Sequence, residues 1–223
     1  MRRAIPLALA LAAGIAMPAH AQQEETGIEA GDVLVRLRGI LVAPTEKAGP
    51  ITPGVPSGSV KVDNGYMPEL DFTYMATDHI GAELILSTTK HNIQGAGAIS
   101  GLGKVADTWA LPPTLTLQYH FLPKGHVRPY VGAGVNYTIF HSSSASDSLN
   151  AALGPTKVKL DDSFGYALQA GVDVDITRKV FVNLDVKFID IDTTARLTTG
   201  GAVNKVNVSL DPFVFGAGVG FRF

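Results

Sequence analysis

Cysteine is absent from this 223-residue chain. That excludes a disulfide framework, a thiolate-bound metal and a cysteine nucleophile. A dominant charge is also absent, since the formal net charge is −2. Nucleic-acid partners are therefore not expected, because their binders carry a basic face. Long apolar runs are missing beyond the first residues, and none approaches the roughly 18 residues of a spanning helix. Any membrane span in the body of the chain must be built from strands. His91 and His141 share no metal-ligand spacing, and neither Gly95-Ala-Gly97 nor Gly216-Ala-Gly218 opens a helix after a strand. No metal and no cofactor is expected.

The first residues have their own pattern. Arg2 and Arg3 are basic, Ile5 to Ala16 is apolar, and Ala19-His20-Ala21 is a small-residue cleavage site. The apolar stretch is too short for a membrane helix, so residues 1–21 are expected to be a cleaved signal peptide. Residues 22–223 then form one exported domain. Such a domain does without disulfides if its strands close and satisfy the backbone.

What the chain does have is a period of two. In Phe213-Val-Phe-Gly-Ala-Gly-Val-Gly-Phe-Arg-Phe223, the odd positions are aromatic or apolar and the even ones small or charged. That is a strand with two unlike faces. The same grammar recurs over Asp32–Val42, Pro68–Thr77, Ile80–His91, Leu111–Phe121, Arg128–Phe140, Ser163–Ile176, from Val180 onward, and Val206–Phe223. The last of these changes parity near Asp211-Pro212, which predicts a bulge. The connections alternate in length. Ala43–Met67, Gln94–Ala110, His141–Asp162 and Thr198–Lys205 are long, with a short helix expected near Asp147–Leu153; the three between them are short. Eight strands, short periplasmic turns and long extracellular loops predict an all-β, eight-stranded antiparallel transmembrane barrel in a bacterial outer membrane.

Several segments resemble the OmpW family. They are Val62-Asp-Asn-Gly-Tyr-Met-Pro-Glu-Leu70, Gly81-Ala-Glu-Leu84, Leu111-Pro-Pro-Thr-Leu-Thr-Leu-Gln-Tyr119, Arg128-Pro-Tyr-Val-Gly-Ala-Gly-Val-Asn-Tyr137 and the Phe-terminated last strand. The resemblance implies a narrow apolar channel and passive uptake of small hydrophobic molecules; AlkL-type members serve alkane import. It carries no common catalytic residues. Phe221 and Phe223 resemble the C-terminal signature that the barrel assembly machinery reads.

The lumen-facing residues sort by height, because the short turns mark the periplasmic strand ends. Low and mid-barrel lie Arg36, Arg38, Asp71, Glu83, His120, Asp173, Asp175, Asp185, Lys187 and Arg222. Mixed charges at close quarters predict a polar plug of hydrogen-bonded ion pairs. Higher up, Ile40, Val42, Met67, Phe140, Ile189 and Ile191 predict an apolar ligand channel. An apolar solute could enter that upper lumen but not cross the plug, since desolvating the ions is costly. Its exit would be sideways into outer-membrane lipid. Pro112 and Pro113, which lack amide donors, are the candidate lateral opening. A monomer is expected. The alternative is a structural or adhesive barrel whose loops bind partners without transport. A rim enzyme built from His141, Ser142–Ser144 and Asp147 is the weakest reading, because adjacency in sequence is not triad geometry.

Deleting Phe223 tests the assembly signature. Outer-membrane levels of the truncated protein should fall well below those of the parent, while barrel already formed keeps its unfolding temperature to within a few degrees. Quantitative blotting of membrane fractions, beside thermal unfolding of refolded protein, reads both.

Overall fold

The computed structural model describes residues 27–223, and the expected signal peptide, 1–21, lies outside the described residues. In chain order the strands are β1 (Val33–Ala43), β2 (Lys47–Ala48), β3 (Gly58–Val62), β4 (Gly65–Met75), β5 (Ile80–Ser87), β6 (Thr89–Gly97), β7 (Lys104–Leu111), β8 (Thr114–His120), β9 (Val127–Ala145), β10 (Thr156–Leu160), β11 (Ser163–Asp175), β12 (Val180–Ile189), β13 (Asp192–Thr199), β14 (Ala202–Ser209) and β15 (Phe213–Arg222). One helix, α1 (Asp147–Leu153), lies between β9 and β10. Its start is fixed by Ser146, whose hydroxyl accepts from the Leu149 amide at 3.1 Å.

Eight of these strands close into an antiparallel barrel in the order β1-β4-β5-β8-β9-β11-β12-β15. Closure comes from β15 pairing back on β1, from Leu34↔Arg222 to Ala43↔Phe213. The alternation in sequence becomes a two-sided wall. Leu117 is 61 % exposed on the lipid side, whereas Thr116 beside it is 2 % exposed in the lumen. The outer rim of the lipid face is aromatic, with Tyr166, Phe188 and Phe213 in successive ring contacts.

Two of the three periplasmic turns are set by threonine. The Thr77 hydroxyl accepts from the amides of His79 and Ile80, and the Thr177 hydroxyl accepts from those of Lys179 and Val180. Each turn thus satisfies its own donors and stays tight. Inside, an eight-stranded barrel has room only for side chains, and glycine makes that room. A Cβ on Gly220 would lie 2.2 Å from the Phe181 ring, and one on Gly171 would lie 2.4 Å from the Tyr130 hydroxyl.

Above the aromatic rim the structure departs from the expected loops. Gln94–Ala110 is no loop: it contributes the end of β6 and nearly all of β7, and the pair forms a hairpin. Thr198–Lys205 contains the tight turn at Gly200 (φ 55°) and Gly201 (φ 90°) that joins β13 to β14. Two glycines at positive φ suit a two-residue hairpin. The expected eighth strand, Val206–Phe223, is two strands in different sheets. Asp211 (φ 37°) and Pro212 break it instead of bulging it. The expected third strand likewise divides at Thr88 into β5 and β6. The outer wall on one side is β3-β6-β7-β9, continuous with the barrel, and on the other a separate sheet, β10-β13-β14-β2. Both walls line the same interior, with a core that includes Ile93, Val105, Val206 and Val208.

The facing predicts a depth-dependent penalty. Leu117→Arg puts a charge into lipid and should cost about 2–4 kcal/mol. Val203→Arg, at a comparably exposed site on β14 above the rim, should change stability by no more than about 0.5 kcal/mol. Urea unfolding in lipid bilayers measures both.

Candidate functional site

β1 sets out the lumen in miniature. Leu34, Arg36, Arg38, Ile40 and Val42 all point inward and are buried, so one strand passes from an apolar floor through two cations to an apolar top. Leu34 packs with Ile28, Met75 and Phe181 at the periplasmic end.

Next above is a lower ion layer. The Arg128 guanidinium lies over the Phe181 ring and pairs with Asp175 at 2.5 Å. Arg36 follows, bound to Asp173 (2.9 Å), Asp71 (3.1 Å) and the Thr73 hydroxyl (2.7 Å). Arg38 reaches Asp71 (2.7 Å) and Glu69 (2.9 Å), and Glu83 stands 3.5 Å from both arginines. The uppermost cation, Lys187, holds Asp185 (2.6 Å) and Glu69 (2.9 Å). Neutral groups complete the network: Asn183 donates to Asp173 (2.8 Å) and Gln169 to Asp185 (2.8 Å), while Thr116 donates to Glu83 (3.0 Å). Ions stripped of water persist only with this density of partners.

The structure therefore brings together seven of the nine charged residues named from the sequence, Arg36, Arg38, Asp71, Glu83, Asp173, Asp185 and Lys187. Asp175 belongs to the lower layer with Arg128, and it also accepts from the Gly27 amide. Arg222 stands apart at the periplasmic rim, 4.0 Å from Asp32 and donating to the Arg178 carbonyl. It takes no part in the plug. The His120 ring lies tilted against Tyr130, 5.1 Å between centroids, and bonds Gln118. Sequence reasoning missed Glu69 and Arg128 as network members. Parity was the available signal: Glu69 shares the face of Asp71, and Arg128 that of Asn136.

Directly above Lys187 and Glu69 lies an apolar cavity of about 90 Å³. Ile40, Val42, Ile189, Ile191 and Phe140 line it, and Met67 packs against the same cluster. Val214 and Ala167, not named from the sequence, complete this cluster. Its extracellular wall includes His91, whose ring bonds the Asp63 carbonyl and the Thr89 hydroxyl. Burial pushes the His91 pKa below its ordinary value, so the ring is neutral at pH 7.

The barrel ladder is interrupted beside this cavity. The last β5–β8 pair is Ile85↔Thr114, and the next pair, between β6 and β7, is Thr89↔Ala110. Leu86–Thr88 therefore face Leu111–Pro113 without ladder pairing. The Pro112 and Pro113 carbonyls point the other way, toward Asn136 and the Tyr137 amide. Ser87 and Pro112, on the two sides of the break, both line the cavity. A second, polar recess of about 470 Å³ opens between β9 and β10. There His141 meets the Ser142 hydroxyl at 3.2 Å, but Ser143 bonds Thr108 and Ser144 bonds Asp107. Among the described residues no carboxylate holds His141.

The density of the network predicts asymmetric costs. Arg38→Met leaves Glu69, Asp71 and Glu83 short of a buried counter-ion and should destabilise the barrel by about 3–5 kcal/mol. Arg222→Met, at the rim, should cost about 1 kcal/mol or less. Equilibrium unfolding of the two variants in bilayers gives the comparison.

Comparison with known proteins agrees with this architecture. The model of the OmpW family matches residues 29–223. Outer membrane protein W of Escherichia coli (strain K12) is 42% identical over 196 residues, covering 87% of this chain and 90% of that protein. The dibenzothiophene metabolism operon protein PahQ of Pseudomonas aeruginosa is 36% identical over 176 residues, covering 76% of this chain and 77% of that protein. The crystal structure of the outer membrane protein OprG from Pseudomonas aeruginosa superposes with a TM-score of 0.83 at 32% identity, covering 88% of this chain and 98% of that one. A closed eight-stranded barrel with a lipid-facing apolar wall, matched along its described length, makes this chain a member of the OmpW family of bacterial outer-membrane proteins.

Proposed function

We propose that this barrel mediates passive uptake of small hydrophobic molecules, which enter the apolar upper lumen from outside and leave sideways into the membrane. The observation that carries the reading is the apolar cavity, closed below by ions and flanked by an unpaired stretch of wall. An apolar solute gains nothing from Lys187, Glu69 and the arginines beneath them, and parting those ions would cost several kcal/mol per ion. The way past Pro112 and Pro113 breaks no ladder bond. PahQ, by its name, belongs to an operon for metabolism of dibenzothiophene, an apolar aromatic molecule. That fits the same chemical class of solute.

Residues 1–21 serve as a cleaved signal peptide, the terminal strand with Phe221 and Phe223 is what the assembly machinery recognises, and the barrel works as a monomer. The reading needs no catalysis, cofactor or metal: diffusion down a gradient supplies the direction. A purely structural or adhesive barrel would have no use for an open apolar cavity next to a gap in its wall.

Replacing both prolines with valine restores two amide donors, at least one of which can pair with Leu86–Thr88. Each recovered hydrogen bond contributes about 0.5–1.5 kcal/mol, enough to slow passage roughly two- to tenfold if the gap must open. The variant should fold at least as well as the parent yet take up a small apolar tracer more slowly in reconstituted vesicles. Asp173→Asn and Asp185→Asn should leave uptake nearly unchanged. Uptake indifferent to the prolines but raised by the Asn variants would mean a straight pore through the plug instead.

A further inference from the structure

The separate extracellular sheet carries a row of cations on its outer face. Lys159 on β10 lies opposite Arg196 on β13, and Arg196 lies opposite Lys205 on β14. Lys157 stands two residues from Lys159 on the same face. The two outer lysines of the row are exposed, and the inward neighbours Leu160, Ala195 and Val206 are buried. Side chains directly opposite across adjacent strands are only about 5 Å apart, and like charges there repel. One acid on this face relieves part of it: Asp161 holds Arg196 with two bonds of 2.6 Å. The lower Asp192 is engaged with the Ser209 hydroxyl. Lys157, Lys159 and Lys205 have no such carboxylate partner among the described residues. A sheet that lines up cations in this way is suited to an anion that bridges strands.

We infer that this row binds the phosphates on the core sugars of outer-leaflet lipopolysaccharide. Height selects this ligand over a phospholipid. Lys159 is five residues above Phe164, which is exposed on the lipid side. At about 3.3 Å per residue and the usual strand tilt, the row stands up to roughly 13 Å above that ring. That is too far for the head group of a phospholipid whose tails end at the aromatic rim. It is within reach of phosphorylated sugars that rise above the acyl chains. The row spans roughly 10 Å across three strands, so more than one phosphate can be engaged at once. Arg196 stays preorganised by Asp161 while the two exposed lysines close on the ligand. The site is independent of the lumen and does not rest on the uptake reading.

The test uses the full-length mature barrel in nanodiscs. Binding of purified lipopolysaccharide is measured for the parent, for Lys159→Gln with Lys205→Gln, and for Lys205→Gln alone. The control pair is Lys124→Gln with Lys179→Gln at the periplasmic end. Two further ligands are dephosphorylated lipopolysaccharide and soluble inositol hexakisphosphate. The double variant should bind at least tenfold more weakly and the single variant by an intermediate factor. The control should match the parent, the dephosphorylated lipid should lose affinity to a similar degree, and salt should weaken only the phosphate-dependent part. Unchanged affinity in the double variant, or equal loss in the control pair, would overturn the proposal. Soluble polyphosphate binding as tightly as the lipid would also overturn it, as it would identify a site for free anions.

Discussion

A peptide group inside a bilayer has no water to pair with, and leaving it unpaired costs several kcal/mol. Every strand in the membrane must therefore find a neighbour on each side, and the only sheet without an edge is one closed on itself. Pairing of β15 with β1 meets that requirement. Closure then dictates the rest. It fixes which parity faces lipid, it limits the lumen to side-chain width, and it forces glycine wherever a bulky lumen group such as Phe181 or Tyr130 presses against the wall. The same constraint explains where the ladder is allowed to fail. The strand breaks at Thr88, Pro112–Pro113, Asp190–Ile191 and Leu210–Pro212 lie where the wall passes the aromatic rim, and at the last two the backbone still finds partners, Asp190 in Tyr166 and Leu210 in Ile191.

Within the closed wall, polarity is graded along the axis. The Leu34–Arg36–Arg38–Ile40–Val42 series of β1 is matched by β12, where Phe181, Asn183, Asp185, Lys187 and Ile189 succeed one another on the lumen side. The ions are not there for raw stability, since well-packed apolar groups often do as well. They fill the lower lumen with buried ion pairs, and Glu69 and Lys187 give the apolar cavity above a defined floor. In the uptake we propose, that floor would exclude ions and the side wall would admit apolar solutes.

Outside the membrane the same strands serve a different purpose. β9 runs unbroken from the periplasmic side to Ala145, and the hairpins β6–β7 and β13–β14 carry the walls outward. The apolar interior is thereby extended beyond the bilayer, and Phe140 on β9 joins the barrel cluster to the core beneath the outer sheet. The outward faces of these walls are free to carry lysines where a lipid-facing strand could not.

Local pattern was enough to reveal the eight barrel strands, their facing, the three short turns, α1 and the split of the lumen into charged and apolar levels. These depend on a two-residue period and on turn chemistry, both written in neighbouring positions. Tertiary structure alone decided which ions meet. Arg36 pairs with Asp173, 137 positions away, and Lys187 with Glu69, 118 positions away, while Arg222 is on the same inward side of the wall but sits one layer too low. It also decided the fate of the outer segments. Small inward residues and a register shift between Asp107 and Trp109 hide the alternation of β7, and nothing local distinguishes a bulge at Pro212 from a change of sheet. Those outcomes are set by strand register around a closed wall, and register is a property of pairs of strands and not of any one of them.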